Sequence, residues 1–257
     1  MPIITLTTDW GSGDYYLGRL KGRILSSAPS VVFADITHHI QQFNTLQAAF
    51  ILRNTYPCYP KGSIHIVGVN SEPSPSNPIV VIQTENYFFI GPNDGMFSIV
   101  LDNEPDEVVL LNSIEKRSGF RALEIIATAV GSICNHKSVD SIGIQTTLKK
   151  EHIGKAAYNE DSISGYVSYI DSFGNVITNI TKELFFRVGQ GRRFEILVQN
   201  NFSKITELSN HYDDVRPGRM LAIFNSFDLL ELAMNQANIS QLESLESKSS
   251  IRVKFYD

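Results

Sequence analysis

Residues 3–22 read IITLTTDWGSGDYYLGRLKG, and the order of residue types in this stretch decides how the chain begins to fold. Ile3-Ile4-Thr5-Leu6-Thr7 is an apolar, β-branched run with the composition of a buried strand. Asp9 follows it, and Gly11 and Gly13 then break the pattern. Beyond them Leu17, Leu20 and Ile24 recur at helical spacing, with Asp14 placed to cap the helix. Strand, glycine turn and helix form the first half of a βαβ unit. Ligands of open α/β sheets sit at the carboxyl ends of the strands, so Asp9 stands where a polar anchor for a ligand belongs.

The same grammar continues outward. Residues 31–36 (VVFADI) read as a second strand leading into Thr37-His38-His39. Thr45, Leu46, Ala48, Ala49, Ile51 and Leu52 then mark a helix that Pro57 and Pro60 terminate. Residues 64–69 (IHIVGV) form a third strand, and the Pro- and Ser-rich run 70–78 (NSEPSPSNP) is a loop. Residues 79–83 and 87–90 read as a hairpin across Glu85-Asn86, followed by a turn at 92–95, a short helix at 96–101, a strand at 108–111 and a helix at 120–133. Alternation of strand and helix over the first part of the chain predicts an α/β N-terminal domain, residues 1–155, with a mostly parallel sheet covered by helices. Past the polar stretch 151–162 strands dominate, at 165–170, 175–180, 194–198, 220–224 and 251–255. A helical turn is expected at 229–235 and an exposed turn at 240–250. Residues 163–257 therefore read as a smaller all-β C-terminal domain of sandwich or barrel type.

Composition narrows the function classes. Of 257 residues, 42% are apolar and 19% charged, the mix of a globular chain rather than a disordered one. The formal charge of −5 is modest and spread out, which argues against nucleic acid as the main partner. No apolar run reaches the length of about 18 residues that a membrane helix needs. The first residues enter a strand without a basic or apolar leader, so a cytoplasmic location is expected. Cys58 and Cys134 lack partners at metal spacing and read as buried free thiols. Adjacent His38 and His39 at a strand end point to opposite sides with no third ligand at metal spacing, so they and His65 read as structural, and no metal is expected. Gly11-Ser12-Gly13 lacks the continuation of a dinucleotide fingerprint.

Six segments in fixed order carry a family resemblance: LTTDWGSGDYYLGRLKG (6–22), ADITHHIQQFNTLQAAFIL (34–52), YPKGSIHIVGV (59–69), GPNDGMFS (91–98), GYVSYIDSFGNVITNI (165–180) and FNSFDLLELAMNQAN (224–238). Over nearly its whole length the chain resembles the S-adenosyl-L-methionine (SAM) hydroxide adenosyltransferases, or SAM hydrolases, whose halogenating branch comprises fluorinase and chlorinase. The resemblance implies an N-terminal α/β domain and a C-terminal β domain. It also implies a homotrimer with SAM bound at the subunit interface as substrate and without a cofactor, while composition leads to no membrane or nucleic-acid partner being expected.

Matched residues follow from the same resemblance. Asp9 falls on the carboxylate that binds both ribose hydroxyls, and a carboxylate can accept from two adjacent donors. Capping of a helix or turn is its alternative. Phe43 falls on an aromatic lying along the sugar, or else is a hydrophobic staple for the following helix. Asp171 matches the acid that meets the methionine ammonium, Phe173 an aromatic stacked on adenine, and Asn175 the amide that reads the adenine edge. Asp-x-Phe-Gly-Asn is also good turn chemistry. Ser226 and Phe227 fall on the loop that holds the amino-acid end, and Glu231 on the border of the adenine pocket. Halogenating relatives carry arginine where Phe227 stands, so carboxylate binding here would rest on backbone donors.

The chemistry implied is displacement at ribose C5′. Methionine leaves as a neutral thioether, so the protein must mainly hold and orient a water. In the hydrolase branch that work resembles the task of an Asp, Arg and His trio, whose places hold Asn70, Asn77 and Arg121 in this chain. The halogenase tyrosine, threonine and serine fall on Asn70, Pro73 and Ala122. Two compensations are available in sequence: Glu72 as a loop carboxylate, and Arg121 paired with Glu124 one helical turn later. Asn70, Glu72, Asn77 and Arg121 are therefore the catalytic candidates. Hydrolysis of SAM to adenosine and methionine is the expected activity. The alternatives are a SAM- or adenosine-binding protein without turnover, and a transferase using another nucleophile such as halide.

Overall fold

The computed structural model describes residues 1–111, 119–136, 139–198 and 203–257. The chain divides into two compact units, Met1–His152 and Ile153–Asp257.

The first unit runs β1 (Ile3–Thr8), α1 (Tyr15–Ser27), β2 (Val32–Thr37), α2 (Thr45–Thr55), β3 (Ile64–Gly68), β4 (Ile79–Gln83), β5 (Phe88–Pro92), α3 (Phe97–Val100), β6 (Glu107–Leu111), α4 (Ala122–His136) and β7 (Gly143–Gln145). Its seven strands lie in the order β2-β1-β3-β5-β4-β6-β7. The sheet has a core on each face. Ile64 and Ile66 pack with α1 and α4, whereas Val67 and Val69 pack with Ala48, Ala49 and Leu52 of α2. The spacing that predicts α1 is the spacing it buries, Leu17, Leu20 and Ile24. Asp14 sits at its N-cap position but makes no side-chain cap bond. Asn44 caps α2 by accepting from Gln47 N at 3.0 Å.

The sheet is mixed, which corrects the expectation of a mostly parallel one. β1 pairs parallel with β2 and β3, and β3 with β5. β4 runs antiparallel to β5 and β6, and β6 antiparallel to β7. Strands buried on both faces read as continuous apolar runs whatever their direction, so periodicity does not report it.

The second unit comprises β8 (Ala157–Tyr158), β9 (Ser162–Ile170), β10 (Val176–Thr181), α5 (Lys182–Gly189), β11 (Arg193–Val198), β12 (Ser203–Ile205), β13 (Met220–Phe224), β14 (Leu229–Met234), α6 (Ile239–Leu242) and β15 (Ser250–Tyr256). Seven strands follow the order β12-β11-β15-β9-β10-β14-β13, with β8 added on β9. Their ladders are antiparallel. Val167, Val176, Ile196, Ile205, Ala222, Leu232 and Val253 share one core, so the strands curl around a common centre.

This unit is β-rich rather than all-β. Thr181 caps α5 by accepting from Leu184 N at 3.2 Å, and Leu184, Phe185 and Val188 form its buried face. Residues 229–235, expected as a helical turn, form strand β14, paired with β13 in the register Ile223↔Glu231. The run LLELAMN fits a helical and a strand reading alike, and pairing chooses the strand. The expected exposed turn at 240–250 begins inside α6. Cys58 is exposed and Cys134 half-buried, which corrects the reading of two buried thiols. Cys58 ends a short 3-10 turn between Pro57 and Pro60, where the chain leaves the core. Among the described residues no helix is long and apolar enough to cross a membrane.

Candidate active site

In the first unit the expected residues gather where β1 and β3 end. Asp9 Oδ2 accepts from the backbone N–H of Phe43 at 2.9 Å and of Asn70 at 3.3 Å. Both donors have positive φ, 62° at Phe43 and 47° at Asn70. Non-glycine residues rarely hold that conformation, and where they do the surroundings impose it. Two loops, one after β2 and one after β3, thus turn their amides onto a single carboxylate oxygen. The other oxygen, Oδ1, accepts no protein hydrogen bond among the described residues. Asp9 is not a helix cap, because α1 starts beyond Asp14. Phe43 is 71% exposed, so its ring staples nothing and stands free beside the acid.

The Pro- and Ser-rich loop is shaped by its own polar groups. Asn77 Nδ2 donates to the Asn70 carbonyl at 2.9 Å, and Ser74 and Asn77 exchange backbone bonds at 3.1 Å. Ser71 Oγ and Asn77 Oδ1 are buried without a partner among the described residues. Glu72 takes two bonds from one residue. Arg121 Nε donates to Oε1 at 2.8 Å and Arg121 N to Oε2 at 3.0 Å, while an Arg121 Nη donates to the Pro73 carbonyl. Arg121 immediately precedes α4, so a carboxylate receiving its N–H also meets the positive end of that helix.

The expected Arg121–Glu124 pair does not form. Glu124 lies inside α4 and faces α1, meeting Arg19 at 3.0 Å and Arg23 at 3.3 Å. Arg121 lies outside the helix and turns back toward the loop. The two compensations proposed from sequence are therefore one, a Glu72–Arg121 pair.

Sequence reading missed an aromatic group beside these residues. Trp10 and Tyr16 each meet Phe120 edge-on at 5.4 Å between centroids. Trp10 also lies over Gly68, where a Cβ would come within 2.4 Å of its ring, so the end of β3 requires glycine. The available signal was position, since Trp10 follows Asp9 and Phe120 precedes Arg121.

The second unit carries its residues on two turns. Between β9 and β10, Asp171 Oδ1 accepts from Phe173 N at 2.9 Å and Asn175 N at 2.8 Å, and Oδ2 accepts from Asn175 Nδ2 at 3.0 Å. Asp171 and Asn175 build the turn together, and Phe173 stands at its tip, 76% exposed. Gly174 has φ +83°, and a Cβ there would lie 2.1 Å from Asn238 Cγ.

Between β13 and β14, Asn225 Oδ1 accepts from Phe227 N at 3.1 Å and Leu229 N at 3.2 Å. Asn225 Nδ2 donates to Glu231 Oε2 at 3.2 Å, and Tyr212 Oη donates to Oε1 at 2.7 Å. Glu231 is buried with both oxygens engaged, so it braces the turn on which Ser226 and Phe227 are exposed. Tyr212 was not found from sequence. Burial raises its hydroxyl pKa, reinforced by the Glu231 hydrogen bond and by the charges of Glu231 and Asp171. No group of three or more His, Cys, Asp or Glu among the described residues could hold a metal ion.

An α/β unit and an antiparallel β unit, each presenting a carboxylate-centred turn with an exposed phenylalanine, define a two-domain protein of the α/β-plus-β class. The chain belongs to the SAM hydroxide adenosyltransferase family, whose N-terminal domain matches residues 4–143 and whose C-terminal domain matches residues 165–252. It is 26% identical to the (R)-S-adenosyl-L-methionine hydrolase of Methanocaldococcus jannaschii, over 98% of this chain and 96% of that protein. It is 23% identical to the fluorinase of Nocardia brasiliensis, over 98% and 97%. Among solved structures, an uncharacterized conserved protein from Thermotoga maritima superposes with a TM-score of 0.85 at 25% identity, covering 98% of this chain and 99% of that one.

Proposed function

We propose that the protein hydrolyses SAM at ribose C5′, giving adenosine and methionine with water as nucleophile. The observation that carries this reading is the Asp9 carboxylate, fixed through Oδ2 by the amides of Phe43 and Asn70 and open at Oδ1. A fixed carboxylate with an open oxygen suits a vicinal diol, whose two hydroxyls both donate. Phe43 then lies along the sugar. In the second unit Asp171 meets the substrate ammonium, Phe173 stacks on adenine, Asn175 reads its edge, and backbone donors near Ser226 and Phe227 hold the carboxylate. Glu231 supports that turn.

The water oxygen forms a bond to C5′ as the C5′–S bond breaks, and the electron pair of that bond returns to sulfur. The sulfonium becomes a neutral thioether, so no acid is needed for the leaving group. Asn70 and Asn77 shape the loop, and Glu72, held by Arg121, accepts a hydrogen bond from the water and then its proton. Positioning, electrostatics and proton removal by Glu72 together account for the catalysis. The reaction takes place in the cytoplasm, without a cofactor, in a homotrimer whose sites lie at the subunit interface.

Incubation with SAM in ¹⁸O-water, followed by chromatography and mass spectrometry, tests this reading. Methionine and adenosine labelled at the 5′ oxygen are expected. Binding of SAM without product after long incubation at high enzyme concentration would leave a binding protein instead.

A further inference from the structure

A polar chain runs behind the Asp9 turn, from the buried Thr8 outward to Asp35 and Lys21 at the surface. Thr8 is fully buried, and its Oγ1 lies 2.9 Å from His38 Nδ1. His38 Nε2 is 3.2 Å from Asp35 Oδ2, a charge contact in which Nε2 makes no hydrogen bond among the described residues. Lys21 Nζ reaches the same Asp35 oxygen at 2.6 Å, linking the chain to α1. A neutral imidazole donates through one nitrogen and accepts through the other. A carboxylate beside Nε2 favours the proton there, so Nδ1 accepts the Thr8 hydroxyl. The Thr8 oxygen is then left with lone pairs, and the Trp10 N–H approaches it at 3.5 Å.

Backbone bonds complete the connection. Gly11 N donates to the His38 carbonyl at 2.9 Å, and Ile40 N to the Thr8 carbonyl at 3.3 Å. Residues 8–11 and 38–43 are thus stitched together from His38 to Phe43, and the last stitch is the Phe43 amide on Asp9. We infer that Asp35, His38 and Thr8 form a positioning relay that fixes the loop donating to Asp9, with Lys21 holding its outer end. The inference rests on the reading of Asp9 as the ribose anchor only for its effect on substrate.

Thr8→Val removes the hydroxyl and keeps the shape, and Thr8→Ser restores it. In ligand-free protein, amide hydrogen exchange at Phe43 is expected to speed up about fivefold to tenfold in Thr8→Val and to return toward wild type in Thr8→Ser. KM for SAM is expected to rise by a similar factor with kcat within about twofold, because ground and transition states share the ribose contact. Unchanged Phe43 exchange in Thr8→Val, or no recovery in Thr8→Ser, overturns the relay. Should Thr8→Val fail to fold, His38→Gln is read the same way. If the wild type neither binds adenosine nor cleaves SAM, the ribose reading fails while the exchange data still decide the relay.

Discussion

Arg121 closes a two-point grip on Glu72, its backbone N–H on one carboxylate oxygen at 3.0 Å and its Nε on the other at 2.8 Å. The pair joins the loop after β3 to the start of α4 across 49 positions of sequence. It brings a carboxylate and a guanidinium together on the loop after β3. Both side chains remain partly exposed, 38% for Arg121 and 46% for Glu72, so the pair contributes little to stability. Its measurable effect should therefore be on the reaction.

Glu72→Gln and Arg121→Ala are expected to lower kcat about 100-fold while shifting the unfolding midpoint by only a few degrees. In a double-mutant cycle the two losses should be far from additive, because removing either partner frees the other. Product formation unchanged in Glu72→Gln would remove the pair from the mechanism and leave the binding residues untouched.

Asp9→Ala takes away the acceptor on which the Phe43 and Asn70 amides converge. Loss of hydrogen bonds to a charged group corresponds to about 1.5–3 kcal/mol, so affinity for SAM and for adenosine should fall about 10- to 150-fold. Isothermal titration with adenosine measures this apart from turnover. Full affinity in the variant would show that the diol binds elsewhere.

Acid should destabilise the first unit through His65. The ring is fully buried, with Thr5 Oγ1 2.8 Å from Nδ1 and the rings of Tyr56, Tyr59, Tyr87 and Phe89 around it. Burial lowers its pKa to about 4 from the ordinary 6.5. Between those values the unfolded chain binds the proton and the folded chain does not, so stability falls as pH drops from 6.5 toward 4 and is flat above. The slope is about 1.4 kcal/mol per pH unit, about 3 kcal/mol in all. Urea unfolding at pH 7 and pH 5 should show a smaller loss in His65→Phe than in wild type; equal losses would assign the acid sensitivity to other groups.

Gly174→Ala places a Cβ 2.1 Å from Asn238 Cγ at φ +83°. Asn238 cannot simply withdraw, since its Oδ1 accepts from Gln241 N and Ser240 Oγ, both at 2.8 Å, at the start of α6. A loss of about 2–4 kcal/mol is expected, within the range of strained-backbone substitutions. Substrate affinity should weaken with it, as Phe173 and Asn175 flank the glycine. Thermal unfolding and adenosine titration check both, and a variant with wild-type stability would contradict the turn geometry.

How much of this was written in the sequence depends on distance along the chain. The strand, the glycine break and the Leu17, Leu20, Ile24 spacing are local signals, and α1 buries those residues. Asp9 at the strand end was legible for the same reason. Strand direction was not: β4 and β6 are apolar on both faces, so nothing in their residues distinguishes a parallel neighbour from an antiparallel one. The run 229–235 fits helix and strand alike until β13 pairs with it. Glu124 looked like the partner of Arg121 because helical spacing links them, yet α4 begins at Ala122, which leaves Arg121 free to turn toward Glu72 and Glu124 facing the arginines of α1. Tyr212 reaches Glu231 only through the folding of the β sheet.

By itself, then, the sequence determined which residues are buried locally, where the turns fall and which carboxylates stand at strand ends, because those follow from periodicity and backbone preference over a few residues. The tertiary structure alone decided who meets whom. Phe43 and Asn70 share one oxygen of Asp9, and Glu72 finds Arg121, because sheet order brings loops of distant sequence to the same strand ends, and no local pattern encodes that order.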